Sequence, residues 1–200
     1  PLLEPATVAV HAARRSGVRL GDTVAVIGVG TVGALTLQAF KAAGARVIAI
    51  DLRERSLQMA RSLGADDVVD ASGDAASRLS ELTGGIGPDM VVETAGAART
   101  PVNALEWVRR QGTIVLVGIY AEQPQVDFNL VVGKELTVTG SVAASPGDME
   151  AATRLAAEGR IRLNDLVSDR IPLNRVIEDG FERMLRKDPD VFRILVSPDA

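Results

Sequence analysis

Residues 28–33 form the pattern Gly-x-Gly-x-x-Gly (GVGTVG). The pattern follows a run of β-branched residues at 23–27, which predicts a buried strand, and it opens a stretch at 31–43 whose apolar residues have helical spacing. A glycine pattern alone is a weak signal, because glycine-rich turns are common. Between a strand and a helix, however, it is typical of a turn that holds the pyrophosphate of a dinucleotide at the helix N-terminus.

Each glycine of this turn has a separate expected purpose. Gly28 permits a tight turn, Gly30 lets a phosphate approach the backbone, and Gly33 lets the helix lie close to the sheet. We expect Thr31 and Val32 to contact the same phosphates. The alternative is a turn that is rich in glycine only for packing.

A carboxylate completes the pattern. Asp51 lies 18 positions after Gly33 and directly follows a second predicted strand, 46–50 (RVIAI). A carboxylate there can accept hydrogen bonds from the ribose of an adenosine and would repel a 2′-phosphate, which favours NAD over NADP. Arg53 and Arg55 weaken this preference, since arginines at this point can hold a 2′-phosphate; the alternative is that they form a solvated helix face. Asp51 itself could instead cap the next helix.

Two more predicted strands end in small residues. Ala95 and Gly96 follow the fourth strand, and Val117 and Gly118 follow the fifth. Ligands of open parallel sheets lie beyond the carboxyl ends of the strands. These residues would leave room for a cofactor, although ordinary turns would have the same composition.

The elements that position these residues alternate between short apolar runs and longer amphipathic ones. This alternation predicts an α/β fold, a Rossmann-type doubly wound parallel sheet of about six strands. After residue 145 the alternation stops, and a late strand at 191–196 has no partner that would extend the sheet. We expect three parts, at 1–16, 17–144 and 145–200. The predicted strands are 23–27, 46–50, 68–69, 90–92, 113–117 and 136–139, and the predicted helices are 31–43, 53–63, 74–82, 101–109, 149–157 and 175–185.

Composition narrows the classes of protein. The chain has 200 residues, a net charge of −4, no Cys and 46% hydrophobic residues, which excludes general disorder and any metal site built on thiolates within this chain. The charge gives no reason to expect nucleic acid or a membrane surface as a partner. His11, the sole histidine, and Trp107, the sole tryptophan, are expected to pack in helices. We expect that the chain was cut from a longer protein at Pro1. We also expect that the protein is cytoplasmic.

Motifs along the whole chain resemble the cofactor-binding part of medium-chain, zinc-type alcohol dehydrogenases, in particular the sorbitol and 2,3-butanediol dehydrogenase branch. Together these motifs are specific for the superfamily and suggestive for the branch. They are Glu4-Pro5, Val10-His11-Ala12, 21–24 (GDTV), 63–66 (LGAD), 93–96 (ETAG), 112–118 (GTIVLVG), 134–137 (KELT), 170–173 (RIPL) and 180–182 (GFE).

The resemblance assigns further roles to single residues. It implies that Arg193 reaches the pyrophosphate and that the backbones at Val117, Ser141 and Ala143 hold the nicotinamide carboxamide. Glu4 stands where a further zinc ligand, or a carboxylate holding the zinc-bound water, is found in polyol dehydrogenases.

One position departs from the family. Many NAD-using relatives have Arg or Lys five residues after the ribose Asp, whereas this chain has Ser56, and the neighbouring Arg55 is the candidate substitute.

The resemblance also implies a reaction for the intact protein, namely hydride transfer between a secondary alcohol or polyol and NAD, with zinc polarising the alcohol. In the family, the other zinc ligands and the proton relay lie in a part of the protein that this chain lacks. We therefore expect no catalytic residue in this chain. Two alternatives remain: a zinc-independent, NADPH-using relative of the quinone reductases, and a non-enzymatic NAD-sensing module. The family further implies a homo-oligomer, a dimer or tetramer, joined by the edge strand Leu136–Ser141, unless the loop at 121–130 covers that edge.

Overall fold

The computed structural model describes residues 1–186, 188 and 190–198. Its centre is a six-stranded parallel sheet in the order β3-β2-β1-β4-β5-β6, so the predicted doubly wound fold is confirmed. The strand order reverses between β1 and β4, which opens a crevice at the carboxyl ends of these two strands. The strands are β1 (Thr23–Ile27), β2 (Arg46–Asp51), β3 (Asp67–Asp70), β4 (Met90–Glu93), β5 (Thr113–Leu116) and β6 (Thr137–Gly140).

Helices cover both faces of the sheet because alternate strand residues point to opposite sides. Val24 and Val26 join one buried cluster with residues of α1, α2, α3 and α7, whereas Ala25 and Ile27 join a second cluster with α4 and α5. This double burial explains why the strands consist of unbroken apolar runs. The helices are α1 (Leu3–Ser16), α2 (Thr31–Ala42), α3 (Glu54–Ser62), α4 (Ala75–Leu82), α5 (Thr100–Trp107), α6 (Asn129–Lys134), α7 (Pro146–Ala157) and α8 (Glu182–Leu185).

A buried carboxylate joins α1 to α7. Asp148 accepts hydrogen bonds from the backbone N–H and hydroxyl of Ser145, from Arg14 Nη1 and from His11 Nδ1, each at 2.7–2.8 Å. His11 must donate here, because a carboxylate only accepts. Burial alone would raise the pKa of Asp148, but the bonds from Ser145, His11 and Arg14 outweigh it and lower the pKa well below its usual range. His11 lies in a helix, as expected.

The C-terminal segment confirms one expectation and corrects another. The late strand is β8 (Arg193–Ser197), and it does not extend the six-stranded sheet; it pairs in parallel with β7 (Val167–Pro172) in a separate two-stranded sheet. The sequence did not predict β7, because polar residues at 168–170 interrupt its apolar pattern. The helix expected at 175–185 is a 3₁₀ turn at Leu173–Arg175, a π-helix at Val176–Phe181 and then α8, so its residues do not keep the regular period of an α-helix.

The loop before β6 does not cover the edge of the sheet. Its residue Val126, and Leu130 and Val131 of the unpredicted α6, pack against the second buried cluster, on the face of the sheet. Three of the four β6 residues are exposed. In the described part of the chain, no helix is both long and apolar enough to cross a bilayer.

Candidate functional site

The glycine turn has the geometry that its spacing predicts. Gly28 adopts φ +87°, a left-handed conformation that side chains disfavour, and a Cβ atom there would lie 2.7 Å from Cβ of Ala95. A Cβ on Gly33 would overlap the carbonyl oxygen of Gly28. Gly30 is different, since no described atom lies within 4 Å of its Cβ position. Two glycines are therefore required by packing, and the third leaves open space.

That open space lies at the start of α2. Gly30 is the N-cap residue and no side chain caps the helix, whose first turn contains no acidic residue. The first helical bond runs from Ala34 N–H to the Gly30 carbonyl, and the N–H groups of residues 31–33 have no acceptor among the described residues. Free N–H groups and the positive end of the helix dipole together favour an anion at this point.

Asp51 is tied directly to the glycine turn. Its Oδ2 accepts a hydrogen bond from Val29 N–H at 2.7 Å, and its Oδ1 accepts one from Arg53 N–H at 2.9 Å. The side chain is 9% exposed, and it borders a cavity of about 420 Å³ between the ends of β1, β2 and β4 and helix α5. The carboxylate thus faces a space large enough for part of a nucleotide. Trp107, expected to pack in a helix, packs against the second cluster and also lines this cavity.

Neither Ser56, where the chain departs from the family, nor Arg55, its candidate substitute, contacts Asp51 among the described residues. Nε of Arg55 lies 3.1 Å from Oδ1 of Asp190 in the C-terminal segment, and both side chains are exposed. Ser56 is buried, and its hydroxyl has no hydrogen-bond partner among the described residues. Arg55 is therefore not directed toward the ribose position in this structure.

A buried glutamate shapes the loop after β4. Oε1 of Glu93 accepts hydrogen bonds from the N–H groups of Ala95 and Gly96, at 2.7 and 2.9 Å. Oε2 accepts one from the hydroxyl of Tyr120 at 2.6 Å. Burial raises the pKa of Tyr120, as do the hydrogen bond and the negative charge of Glu93. The sequence predicted no separate role for Glu93. A charged residue at the end of an apolar strand could, however, have indicated one.

The ends of β5 and β6 present backbone groups beside the same crevice. Val117 and Gly118 both donate their N–H groups to the Glu93 carbonyl. Ser141 is buried, and its hydroxyl lacks a partner among the described residues. Ala143 adopts φ +57°, which is uncommon for a residue with a side chain and is often found at functional sites.

The remaining candidate residues lie near the surface. Arg193, the first residue of β8, is exposed and follows Phe192, whose carbonyl accepts a hydrogen bond from the Thr31 hydroxyl. Glu4 is exposed in the first turn of α1. Among the described residues, no three or more His, Cys, Asp or Glu side chains are grouped to hold a metal ion.

The fold is an α/β fold of the Rossmann type, and comparison with known proteins gives its family. Residues 31–158 match the model of the family described as zinc-binding dehydrogenase, so the chain belongs to this family and the predicted resemblance is confirmed. It is 32% identical to (R,R)-butanediol dehydrogenase of Neisseria gonorrhoeae, over 99% of this chain and 56% of that protein.

Comparison with solved structures indicates the same family. The crystal structure of 2R,3R-butanediol dehydrogenase from Bacillus subtilis superposes with a TM-score of 0.90 at 34% identity, over 99% of this chain and 57% of that one. A zinc-binding dehydrogenase from Sinorhizobium meliloti bound to NADP superposes with a TM-score of 0.85 at 28% identity, over 98% of this chain and 58% of that one. The chain therefore spans little more than half the length of these relatives.

Proposed function

We propose that this chain binds NAD(H) across the carboxyl edge of its sheet, as the cofactor-binding part of a zinc-dependent dehydrogenase of secondary alcohols or polyols. One observation carries the proposal. The Asp51 carboxylate, at the end of β2, accepts a hydrogen bond from Val29 N–H inside the glycine turn. A carboxylate suited to a ribose and a turn suited to a pyrophosphate are thereby held together beside one cavity.

Asp51 sets the choice between the two nicotinamide cofactors. A ribose with free hydroxyls can donate to a carboxylate, whereas a 2′-phosphate would meet its negative charge in a site shielded from water. The contacts with Val29 and Arg53 N–H hold the carboxylate in place. Of the two nearby cations that could offset the repulsion, Arg55 is paired with Asp190, and Nε of Arg53 lies 3.5 Å from Oδ1 of Asp51 itself. With Arg55 held away and the Asp51 carboxylate fixed in place, the site favours NAD over NADP.

The pyrophosphate would lie at the start of α2. The unpaired N–H groups of Thr31, Val32 and Gly33 point out of the helix end, and Gly30 leaves space above them. Arg193 adds an exposed cation close in the fold, because the preceding residue is bonded to Thr31. The residues present therefore fit a dinucleotide.

The nicotinamide end would occupy the crevice near the ends of β4, β5 and β6. The N–H groups of Val117 and Ser141 donate to the Glu93 and Leu116 carbonyls, so their own carbonyls and the backbone of Ala143 are the groups available to its carboxamide. The buried Ser141 hydroxyl has no partner among the described residues. The nicotinamide, when bound, supplies the hydride chemistry. The chain binds and orients it. Gly96 and Gly118 serve the contact between the loops after β4 and β5, because a Cβ on either would overlap the backbone of the facing loop.

The whole protein would add the alcohol site. We propose that zinc and the proton relay depend on residues outside this chain, as the family resemblance implies, with Glu4 as a candidate ligand from within it. The butanediol dehydrogenases among the relatives support a secondary alcohol or polyol as substrate.

Titration of the 200-residue chain with NADH and NADPH tests the proposal. Trp107 is the only tryptophan and lines the cavity, so its fluorescence reports binding. We expect NADH to bind more tightly than NADPH, and we expect Asp51→Ser to weaken NADH about tenfold while NADPH gains. Asp67→Ser, a matched exchange at the opposite end of the sheet, should change neither affinity.

Three outcomes would count against the proposal. Tighter binding of NADPH by the parent chain would favour the quinone-reductase-like alternative, in which Arg53 and Arg55 hold a 2′-phosphate. Equal losses in Asp51→Ser and Asp67→Ser would remove the role given to Asp51. No binding of either nucleotide would reject the cofactor site itself.

A further inference from the structure

Glu93 is a fully buried carboxylate that accepts hydrogen bonds from four donors. Besides the N–H groups of Ala95 and Gly96, Oε1 accepts the hydroxyl of Thr100 at 2.8 Å, and Oε2 accepts the hydroxyl of Tyr120 at 2.6 Å. Burying a charged group is costly unless such bonds replace its water. The three residues before it in β4 are apolar, and a fourth apolar residue would be enough for packing. Packing alone therefore does not explain a glutamate at this position.

These contacts join two separate loops of the crevice. Ala95 and Gly96 belong to the loop after β4, whereas Tyr120 belongs to the loop after β5. The loops also touch through their backbones, because a Cβ on Gly118 would overlap the N–H of Gly96. Gly96 itself adopts φ +66°, so this close approach depends on a left-handed turn that the Glu93 side chain holds in place.

We propose that Glu93 is the positioning residue that fixes the loops after β4 and β5 in the shape that receives the nicotinamide half of the cofactor. This inference rests on the proposed binding of NAD(H). The strand order divides the crevice at β1, with Asp51 on the β2 side and the loop that carries Tyr120 on the β5 side; the loop after β4 lies between them, and its Ala95 also lines the cavity beside Asp51. A dinucleotide that crosses this point places its adenosine on one side and its nicotinamide on the other.

The location predicts which ligand responds to substitution. ADP contains the adenosine and the pyrophosphate, which the Asp51 side and the start of α2 would bind. NADH contains in addition the nicotinamide half, which would lie against the loops that Glu93 holds. The loop after β4 also borders the cavity beside Asp51 through Ala95, whereas Tyr120 belongs to the loop after β5, which does not line that cavity. Disturbing Glu93 should therefore weaken NADH more than ADP, and removing only the Tyr120 bond should weaken NADH and spare ADP.

Three variants of the 200-residue chain separate positioning from general stability. In Glu93→Ala all four donors lose their acceptor. In Glu93→Gln the amide oxygen can still accept from Ala95 and Gly96, and the amide N–H can donate to the Tyr120 oxygen. Tyr120→Phe removes only the bond to the loop after β5, and it leaves the half-buried ring in place.

The experiment is a titration of each variant with NADH and with ADP, followed by Trp107 fluorescence. We expect Glu93→Ala to raise the Kd of NADH about tenfold and the Kd of ADP by less than about threefold, and Tyr120→Phe to raise the Kd of NADH about threefold with ADP unchanged within about twofold. Glu93→Gln should bind NADH within about twofold of the parent. If Glu93→Ala does not fold, the other two variants still test the proposal through the threefold loss in one and the retained affinity of the other.

Equal weakening of NADH and ADP in Glu93→Ala or in Tyr120→Phe would show a general structural effect and overturn the positioning role. Unchanged NADH affinity in Glu93→Ala or in Tyr120→Phe would overturn it too, while leaving the proposed function intact. A parent chain that binds neither NADH nor ADP would overturn both.

Discussion

The hydroxyl of Thr31 donates a hydrogen bond of 2.8 Å to the backbone carbonyl of Phe192, which lies 161 residues further along the chain. Phe192 is fixed from a second side, because its N–H donates to the Ser168 hydroxyl at 2.7 Å and its side chain packs against the first buried cluster. The start of α2 and the start of β8 are thus joined next to Arg193. The candidate pyrophosphate site therefore combines parts of the chain that lie 161 residues apart in sequence.

Thr31→Val should loosen this junction. The exchange keeps the size of the side chain and removes the donor to the Phe192 carbonyl, so we expect a loss of about 1 kcal/mol in the free energy of unfolding. We also expect weaker binding of NADH, because Arg193 is no longer held beside the helix end. Urea unfolding and a fluorescence titration measure the two effects.

Thr153→Val is the matched control, since the Thr153 hydroxyl bonds only within α7, to the Met149 carbonyl. It should leave the affinity for NADH unchanged. An affinity in Thr31→Val equal to that of the control would contradict a contribution of the C-terminal segment to the site.

The two glycines that flank Thr31 and Val32 should respond in opposite ways to alanine. At Gly33 a methyl group overlaps the Gly28 carbonyl, so Gly33→Ala should destabilise the fold by about 3 kcal/mol or more. At Gly30 no described atom is near, so Gly30→Ala should fold with a cost below about 1 kcal/mol and lose NADH affinity at least tenfold. Thermal unfolding and titration of both variants measure this contrast. A Gly30→Ala variant that binds NADH like the parent would contradict a phosphate at this position.

The parts of the site that the sequence could predict are those defined by local spacing. The positions of Gly28, Gly33 and Asp51 relative to the first two strands are set by one strand–helix–strand unit, so neighbouring residues suffice to place them. The parallel sheet of six strands followed from the alternation of elements, with boundaries that differ by one or two residues in most cases.

The contacts that the sequence could not predict join distant segments. The pairing of Arg55 with Asp190 depends on where the C-terminal segment lies, which no local pattern encodes. The Glu93–Tyr120 bond spans 27 positions and two strands. Strand β7 was missed for a related reason, since a two-stranded sheet with an exposed side does not require an apolar run.

Because of Asp148, the free energy of unfolding should depend on pH in the acidic range. Its pKa in the folded chain is lowered, so its contribution is complete above the unfolded pKa of about 3.9 and is lost as the pH falls below that value. Asp148→Asn should cost about 3 kcal/mol at about pH 7, because Arg14 and His11 lose a buried charged partner. The difference from the parent should shrink between about pH 4 and pH 3 in urea unfolding.

Asp165→Asn is the control for Asp148→Asn, because it removes a carboxylate in an exposed ion pair with Arg162. It should change the free energy of unfolding little at any pH. A constant difference between Asp148→Asn and the parent down to about pH 3 would contradict the lowered pKa.

The open edge of β6 gives a test of the homo-oligomer that the family resemblance implies. Thr137 and Ser141 donate their N–H groups to β5, and since the backbone N–H direction alternates along a strand, the N–H of Val138 faces away from the sheet. Val138→Pro therefore removes a donor that a second copy would use, while keeping the bonds to β5. We propose that the parent sediments as a dimer or tetramer of 21.0 kDa chains. Val138→Pro should shift the parent to a monomer. Val138→Thr, which keeps the N–H, should sediment like the parent. Arg15 already bonds the Gly140 carbonyl, so pairing would centre on Val138. A Pro variant that sediments like the parent would exclude pairing through this edge.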